Sequence, residues 1–277
     1  MSTAVVIRGM FDPPSVFQAP GALSIKSVIK RYTINGQPLT VLNGVSLDIE
    51  PGQFISIVGR SGCGKSTLLR LIAGLETEYD GDILLDRERI TSTSLDRGIV
   101  FQDHALLPWM TVQQNVAFAL LNDKLPEAEK QERARHYIEL VNLAGFEHAY
   151  PRELSGGMAQ RAAIARALVN EPKILLLDEP LGALDALTRV YLQEELQRIW
   201  LERRCTMIMV THDVEEAVYL GDRVVVMDAN PGCIKRLIDI PLPHPRERTS
   251  PVLQQIKEDI LTDLTRQAIL AREGRSQ

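Results

Sequence analysis

The sequence predicts an α/β fold, with a largely parallel sheet preceded by an antiparallel β part and interrupted by a helical insertion. Three observations support this class: several short apolar runs, a glycine-rich connection between one such run and a helix, and a long helical stretch between two of the runs. The runs are continuous rather than alternating, as expected for strands that are buried on both faces of a parallel sheet. Strands of this kind that alternate with helices define the α/β class.

The amino-terminal part is predicted to be antiparallel. The stretches SIKSVIKRYTI and LTVLNGVSLDI flank Asn35-Gly36, which is a strong hairpin signal. Pro51-Gly52 marks a second turn before the apolar run FISIV. Residues 1–22 hold only a short apolar patch broken by charges and prolines, so we expect a flexible extension rather than a secretion signal.

The main domain is expected to span residues 23–240. Its further strands are assigned to the apolar runs DILL, GIVF, KILLLD, TMIMV and RVVVMD, which are all interpreted as buried parallel strands. From about residue 104 to 157 the pattern is helical instead, with TVQQNVAFALL followed by EAEKQERARHYIELVNLAG. This block is predicted to be a helical insertion within the domain.

The carboxyl-terminal tail, residues 241–277, is predicted to contain a helix that begins near Ser250. Ser250 can cap such a helix, and Pro251 suits its first turn. One face of the helix would carry four apolar residues, which suit packing on the main domain. These residues are Leu253, Ile256, Ile260 and Leu264.

The composition is that of a globular protein, with 45% apolar and 24% charged residues in 277. The formal net charge of −5 disfavours nucleic acid as a partner, because nucleic-acid binders usually carry a basic excess. The three cysteines form neither a disulfide framework nor a metal-binding spacing, which indicates a reducing compartment. No apolar run approaches the roughly 18 residues of a membrane helix, so action at a membrane would require partners that span it.

A phosphate-binding loop is predicted between FISIV and the helix KSTLLRLIAGL. The sequence GRSGCGKS matches G-x-x-x-x-G-K-[ST], in which glycines let successive N–H groups point at phosphate oxygens. Lys65 would reach the β- and γ-phosphates, and Ser66 would offer its hydroxyl to Mg²⁺. Cys63 is interpreted as a small filler, with a thiol of lowered pKa as the alternative. The predicted nucleotide-binding residues of this segment are Gly59, Arg60, Ser61, Gly62, Cys63, Gly64, Lys65, Ser66 and Thr67.

Two carboxylates follow the apolar run KILLLD. A carboxylate at the carboxyl end of a parallel strand lies at the edge of the sheet where ligands bind. Asp178 would hold Mg²⁺ through its water shell, and Glu179 would polarise an attacking water. The alternative is a solvated acidic turn.

At these motifs the chain resembles the ATP-binding subunits of ABC transporters, over about residues 23–240. LSGGM at 154–158 is similar to the signature sequence of that family, with Met158 where Gln is usual. VFQD, GALD and VTHD match its Q-loop, D-loop and switch histidine in the same order. The resemblance implies a P-loop NTPase fold, with a RecA-like parallel sheet, an N-terminal antiparallel β part and a helical insertion subdomain.

The resemblance also implies roles for individual residues. Lys65, Gln102, Glu179 and His212 would be catalytic, and Gln102 would join Ser66 and Asp178 at Mg²⁺. Tyr32 would stack under the adenine ring of ATP. From the residues alone, the alternative for Gln102 is a surface-loop residue, which fits poorly with its place after the apolar run GIVF. The alternatives for His212 and Tyr32 are a structural histidine and strand packing.

A second copy of the chain is a further implication of the resemblance. Two domains would bind two ATP molecules head to tail between them. Ser155, Gly156 and Gly157 would cap the γ-phosphate held by the other copy, and Asp185 would lie beside the nucleotide. The alternative is that the Ser-Gly-Gly sequence only begins a helix.

The resemblance places the chain at the cytoplasmic face of the inner membrane, bound to membrane-spanning permease subunits and served indirectly by a periplasmic solute-binding protein. Pro108, Trp109 and Met110 would lie at the permease contact; the alternative is that Trp109 packs within the helical insertion. Finer similarity indicates the nitrate, sulfonate and taurine import group, with aliphatic sulfonates as the first expectation. Nitrate, taurine and pyrimidine precursors stay open, as does a non-transport ATPase that acts on DNA or ribosomes.

Overall fold

The computed structural model describes residues 21–273 except residues 183 and 230. The first twenty residues of the predicted extension lie outside this part. The last two residues of the extension, Gly21 and Ala22, contact the main domain: the Ala22 N–H donates to Asp86, and the Gly21 carbonyl accepts from Thr206.

Ten strands and seven α-helices make up the described part of the chain. The strands are β1 (Leu23–Ile34), β2 (Gln37–Ile49), β3 (Phe54–Gly59), β4 (Asp80–Leu85), β5 (Glu88–Arg89), β6 (Arg97–Val100), β7 (Ile174–Asp178), β8 (Thr206–Thr211), β9 (Arg223–Asp228) and β10 (Cys233–Asp239). The helices are α1 (Lys65–Ala73), α2 (Val112–Phe118), α3 (Glu127–Leu140), α4 (Gly156–Leu168), α5 (Ala186–Arg203), α6 (Val214–Leu220) and α7 (Pro251–Glu273).

The first sheet is antiparallel, with the order β2-β1-β4-β5. The β1–β2 hairpin closes at Asn35-Gly36, where both residues have positive φ as its turn requires. The prediction for DILL is wrong in one respect, because this run forms β4 and pairs antiparallel with β1. Its apolar residues Ile83 and Leu85 are buried, and the half-buried Asp82 pairs with Lys26 of β1.

The second sheet has the order β10-β9-β3-β8-β7-β6, and all its strands except β10 are parallel. Alternate residues of these strands point to opposite faces and enter different cores. Ile55 and Ile57 lie in the core that contains α1 and the first sheet. Phe54 and Met207 lie in the core shared with α4, α5 and the helical block. The strand β10 was not predicted, since its sequence is half polar and it lies at the sheet edge.

The helices α2 and α3 form the predicted insertion between β6 and β7. The helix α2 begins with a capping box, in which Thr111 accepts from the Gln114 N–H and the Gln114 side chain accepts from the Thr111 N–H. Tyr137 and Ile138 of α3 are buried against α4. Among the described residues, no helix combines the length and apolar character that crossing a bilayer requires.

The tail packs on α6, as its apolar pattern predicted. Leu253 and Ile260 are buried in a third core with α6 and β9, and Ile256 and Leu264 pack at its margin. The segment before α7 is fixed by Arg246, whose guanidinium donates to two carbonyls in the last turn of α6 and to one just after it. These are the carbonyls of Val218, Tyr219 and Gly221.

Arg246→Ala should therefore destabilise the protein, by roughly 2–4 kcal/mol, because it leaves buried carbonyl groups without donors. Thermal unfolding of the full chain measures this effect. The matched control is Arg236→Ala, since Arg236 forms an exposed ion pair with Asp263 at 2.9 Å and such pairs contribute about 1 kcal/mol or less. Equal losses in the two variants would contradict the role given to Arg246.

Candidate nucleotide-binding site

Four adjacent parallel strands bring the glycine loop, Gln102, Asp178 and His212 together at the carboxyl ends of the strands. In the order β3-β8-β7-β6, parallel pairing aligns the four carboxyl ends. The glycine loop follows β3, His212 follows β8, Asp178 ends β7, and Gln102 lies shortly after β6. The position is the one where open α/β sheets bind ligands.

The glycine loop holds Lys65 in its interior. The Lys65 ammonium donates to the carbonyls of Gly59 at 2.8 Å and Arg60 at 3.3 Å, and the residue is 6% exposed. Arg60 and Ser61 are exposed on the outer side of the loop. The loop therefore folds around a positive charge, which suits it to bind a polyanion.

Gly64 places the loop at the start of α1. It is the N-cap of that helix, with φ of 91°, a conformation that L side chains rarely adopt. A methyl group on Gly64 would also lie 2.5 Å from the Leu42 side chain. The free N–H groups and positive end of α1 consequently face the interior of the loop.

Ser66 and Asp178 meet directly, although they are far apart in sequence. The Ser66 hydroxyl donates to Asp178 Oδ1 at 2.9 Å. Burial raises the pKa of Asp178, the Ser66 bond opposes that rise, and the neighbouring Glu179 adds to it. A bound cation would relieve this electrostatic cost. The described residues contain no group of three or more His, Cys, Asp and Glu that could hold a metal by itself.

Glu179 and His212 form a second polar pair at the same edge. Their side chains are 3.1 Å apart, between Glu179 Oε2 and His212 Nδ1. Glu179 has φ of 47°, a strained value for a non-glycine residue, and its N–H donates to the Val210 carbonyl. The Gln102 amide is close to this pair: a methyl carbon on Gly182 would lie 3.8 Å from Gln102 Nε2 and 3.6 Å from Glu179 Oε2.

Tyr32 is next to α1, at the first sheet. Its hydroxyl donates to Glu76 at 2.6 Å, and the Lys30 ammonium lies 4.7 Å from the centre of its ring. Burial and the bond to Glu76 raise the pKa of Tyr32, and Thr67 on α1 acts in the opposite direction. The ring is thus held near the glycine loop by polar contacts that sequence reasoning did not predict.

Cys63 is a buried filler of the loop. It is fully buried, and burial raises the pKa of its thiol despite the charge of Lys65. The alternative of a lowered thiol pKa is wrong, because desolvation outweighs the attraction of the ammonium.

The Ser-Gly-Gly segment is separate from the loop and belongs to the other core. Ser155 caps α4 by accepting from the Met158 N–H, and Gly156 is exposed. Met158 packs against the core that contains α2, α3 and α5. Asp185 is likewise an N-cap, of α5, and is exposed. The predicted residues Ser155, Gly156, Gly157 and Asp185 therefore lie outside the group of side chains that one chain brings together at the strand ends.

The sequence did not predict the polar network next to His212. Thr211 donates to Glu216 at 2.7 Å and accepts from the Asp213 N–H, and Asp213 caps α6. Arg189 of α5 lies 3.7 Å from both carboxylates, of Asp213 and Glu216. The available signal was the helix start THDVEE, which predicts the cap but not the partner on α5.

The fold and the edge constellation define a phosphate-loop nucleotide-binding protein with the residues of an ATPase. The sequence pattern of the ABC transporter family matches residues 42–182. The chain is 46% identical to the aliphatic sulfonates import ATP-binding protein SsuB of Bacillus cereus, over 90% of this chain and 98% of that protein. The chain belongs to the ATP-binding subunits of ABC transporters, which are ATPases coupled to transport.

Other relatives and solved structures agree with this assignment. SsuB of Bacillus subtilis is 49% identical over 87% of this chain and 94% of its own length, and the nitrate import ATP-binding protein NrtD of Synechocystis is 48% identical over 80% and 83%. A dimeric ATP-binding cassette in a post-hydrolysis state with ADP and Pi superimposes with a TM-score of 0.71. It is 32% identical and covers 80% of this chain and 100% of that chain.

Gly157→Ala should destabilise the protein by about 1–3 kcal/mol, because the added methyl would lie 2.5 Å from Thr188 Cγ2 on α5. Gly156→Ala is the matched control, since its methyl would lie 3.5 Å from Leu184, an ordinary contact. Thermal unfolding distinguishes the two variants. A stable Gly157→Ala protein would show that α4 and α5 can separate at no cost.

Proposed function

We propose that two copies of this chain bind two ATP molecules between them and hydrolyse them to drive the import of a small solute, with aliphatic sulfonates as the first candidates. The observation that carries the proposal is the convergence of the Lys65 loop, the Ser66–Asp178 pair and the Glu179–His212 pair at one sheet edge. Each of these three elements matches one requirement of phosphoryl transfer.

Phosphate binding is assigned to the glycine loop. The Lys65 ammonium would exchange its bonds to the Gly59 and Arg60 carbonyls for bonds to the β- and γ-phosphates. Hydrogen bonds of this charge-assisted kind contribute roughly 1.5–3 kcal/mol each. Tyr32 would provide an aromatic surface for the adenine at the outer end of α1.

Ser66 and Asp178 fit a Mg²⁺ site. Both offer oxygen atoms, which this ion prefers, and Mg²⁺ in nucleotide sites usually has few protein ligands beside phosphates and water. Gln102 would add an amide oxygen from the neighbouring strand end. When bound, Mg²⁺ neutralises charge on the phosphate oxygens.

Glu179 and His212 are assigned to the hydrolytic step. Glu179 would accept a proton from the attacking water, which is the role of a carboxylate at hydrogen-bonding distance from the nucleophile. His212 lies 3.1 Å from Glu179 and is largely exposed at the edge, so it can orient the carboxylate and donate to the γ-phosphate.

The second copy would complete each site. Ser155 and Gly156 are exposed at the start of α4 and lie apart from the glycine loop of their own chain. An exposed helix start with free N–H groups suits the γ-phosphate of an ATP held by another chain. The similarity to a dimeric cassette with ADP and Pi supports this arrangement.

The permease contact is assigned to the segment around Trp109. Trp109 is 69% exposed, so it does not pack within the helical insertion, which was the alternative. The buried side chain of Asn115 fixes the segment by bonding to the backbone of Leu107, Met110 and Thr111. An ordered turn that displays a large apolar residue, shortly after Gln102 in the sequence, suits a protein partner.

The substrate assignment rests on the similarity to the SsuB proteins. Nitrate is the second candidate, because the nitrate import protein of Synechocystis is similar at almost the same identity. Under either assignment the chain would act at the cytoplasmic face of the inner membrane, with permease subunits and a periplasmic solute-binding protein. A role on DNA or ribosomes is disfavoured by the net charge of −5.

Glu179→Gln should trap a dimer in the presence of ATP and Mg²⁺, because ATP binds but the attacking water loses its proton acceptor. Hydrolysis should fall by roughly 10²–10⁴-fold. Size-exclusion chromatography with and without ATP detects the dimer. Lys65→Ala in the same background should restore the monomer, and a dimer that persists there would separate dimerisation from phosphate binding.

Trp109→Ala should reduce uptake of an alkanesulfonate by cells that rely on this chain, while ATP binding by the purified protein stays unchanged. The control is Leu121→Ala, which removes a residue that is 65% exposed. Radiolabelled uptake measures the effect, and labelled nitrate is the second arm. Uptake of nitrate alone would replace the sulfonate assignment, and normal uptake by Trp109→Ala would remove the permease contact from this segment.

A further inference from the structure

The two members of the Glu179–His212 pair are carried by two different turns. The Glu179 turn comprises residues 179–182 and 184, where the Gly182 N–H donates to the Glu179 carbonyl and the Leu184 N–H to the Leu181 carbonyl. The His212 turn comprises residues 211–213, between β8 and α6. The distance between the two side chains depends on how these turns are held relative to each other.

Arg189 contacts both turns. Its guanidinium donates to the Leu184 carbonyl at 3.0 Å, at the end of the Glu179 turn. The same guanidinium lies 3.7 Å from the Asp213 carboxylate, at the end of the His212 turn, and 3.7 Å from the Glu216 carboxylate on α6. The guanidinium thus donates one hydrogen bond and lies at ion-pair distance from two carboxylates, while its buried Nε–H has no hydrogen-bond acceptor among the described residues.

The His212 turn has little freedom of its own. Thr211 is buried and donates to Glu216, and Asp213 Oδ1 accepts from the N–H groups of Glu215 and Glu216. Glu216 is 3% exposed, so a cationic partner stabilises its charged form. Removal of Arg189 would leave the Glu216 carboxylate without its cation and the Glu179 turn without a link to α6.

The surroundings of Arg189 also connect this link to an exposed surface. Asp185 caps α5 one residue after the Leu184 carbonyl and is exposed, and Leu187 on the next turn is 84% exposed. A displacement of the start of α5 would move the adjacent Leu184 carbonyl directly. It would also move Arg189, and with it the contact to Asp213.

We infer that Arg189 is a positioning residue for ATP hydrolysis: it bridges the turns that carry Glu179 and His212, and it links their spacing to the exposed start of α5. The inference rests on the proposed function, which gives Glu179 and His212 the hydrolytic roles. Arg189 itself touches neither the nucleotide site nor the pair, and acts through the two turns.

Arg189→Ala should lower kcat for ATP hydrolysis by the full-length protein by roughly ten- to a hundredfold, the cost of a misplacement of about 1 Å. The KM for ATP should change by less than about twofold, since the glycine loop is untouched. Arg189→Lys keeps the charge but loses the planar fork, so it should recover only part of kcat.

Arg198→Ala is the matched control. Arg198 lies on the same helix and contacts a similar set of groups, namely the carboxylates of Glu195 and Glu202 and the carbonyl of Leu140. Its substitution should affect unfolding temperature to a similar degree and leave kcat unchanged. A general loss of α5 stability would reduce kcat in both variants, which would overturn the inference.

Asp213→Asn separates the ion pair from the helix cap. The amide oxygen can still accept from the Glu215 and Glu216 N–H groups, whereas the charge that faces Arg189 is lost. If Arg189 acts through Asp213, the double variant Arg189→Ala, Asp213→Asn should have the same kcat as the less active of the two single variants. Losses that multiply would show independent effects and contradict the bridge.

Hydrogen exchange of the nucleotide-free protein tests the bridge without hydrolysis. Asp213→Asn should speed exchange in peptides that contain Leu184 and Asp185, although the substitution lies on another element. Exchange that changes only in peptides from residues 211–220 would overturn the inference. A wild-type protein without ATPase activity would contradict the proposed function instead, and the exchange result would still decide the bridge.

Discussion

The site depends on the parallel pairing of β3, β8, β7 and β6. The apolar side chains within these strands pack into the cores on the two faces of the sheet, so the residues that follow their carboxyl ends are the ones free to meet a ligand. The pairing of Asp178 with Val210 sets Glu179 beside the start of the His212 turn. A shift by one residue would exchange the two faces of the strand and bury the carboxylate.

The charged groups at the strand ends have polar partners within the chain, and a ligand could replace these partners. The Lys65 charge is met by loop carbonyls, and the Asp178 carboxylate by the Ser66 hydroxyl. These partners are weaker than phosphate oxygens for the ammonium and weaker than a cation for the carboxylate. Binding of a metal–nucleotide complex would therefore replace adequate contacts by stronger ones at both positions, with little movement of the backbone.

Local sequence signals predicted the elements that local physics determines. The β1–β2 hairpin and the glycine loop are specified by short-range turn chemistry, and the helix of the tail by its apolar periodicity; all three form at the expected positions. DILL could not be assigned to its sheet, because four apolar residues fit either a parallel or an antiparallel neighbour. Arg189 and Arg246 were not found because their partners are carbonyls and carboxylates from other elements, and an arginine in a sequence does not indicate whether its charge is solvated or buried.

The separation of the glycine loop and Ser155 into two different cores suggests how one fold can both bind nucleotide and respond to it. The glycine loop and α1 belong to the core of the first sheet, whereas α4, with Ser155 at its start, belongs to the core of the helical block. Near the carboxyl ends of the parallel strands, Arg189 of α5 contacts Asp213 and Glu216 at the start of α6. Under the inference above, contacts made at the exposed start of α5 would act on the Glu179–His212 pair through Arg189, while the glycine loop keeps its own support. Binding and hydrolysis can therefore be tuned independently within one domain.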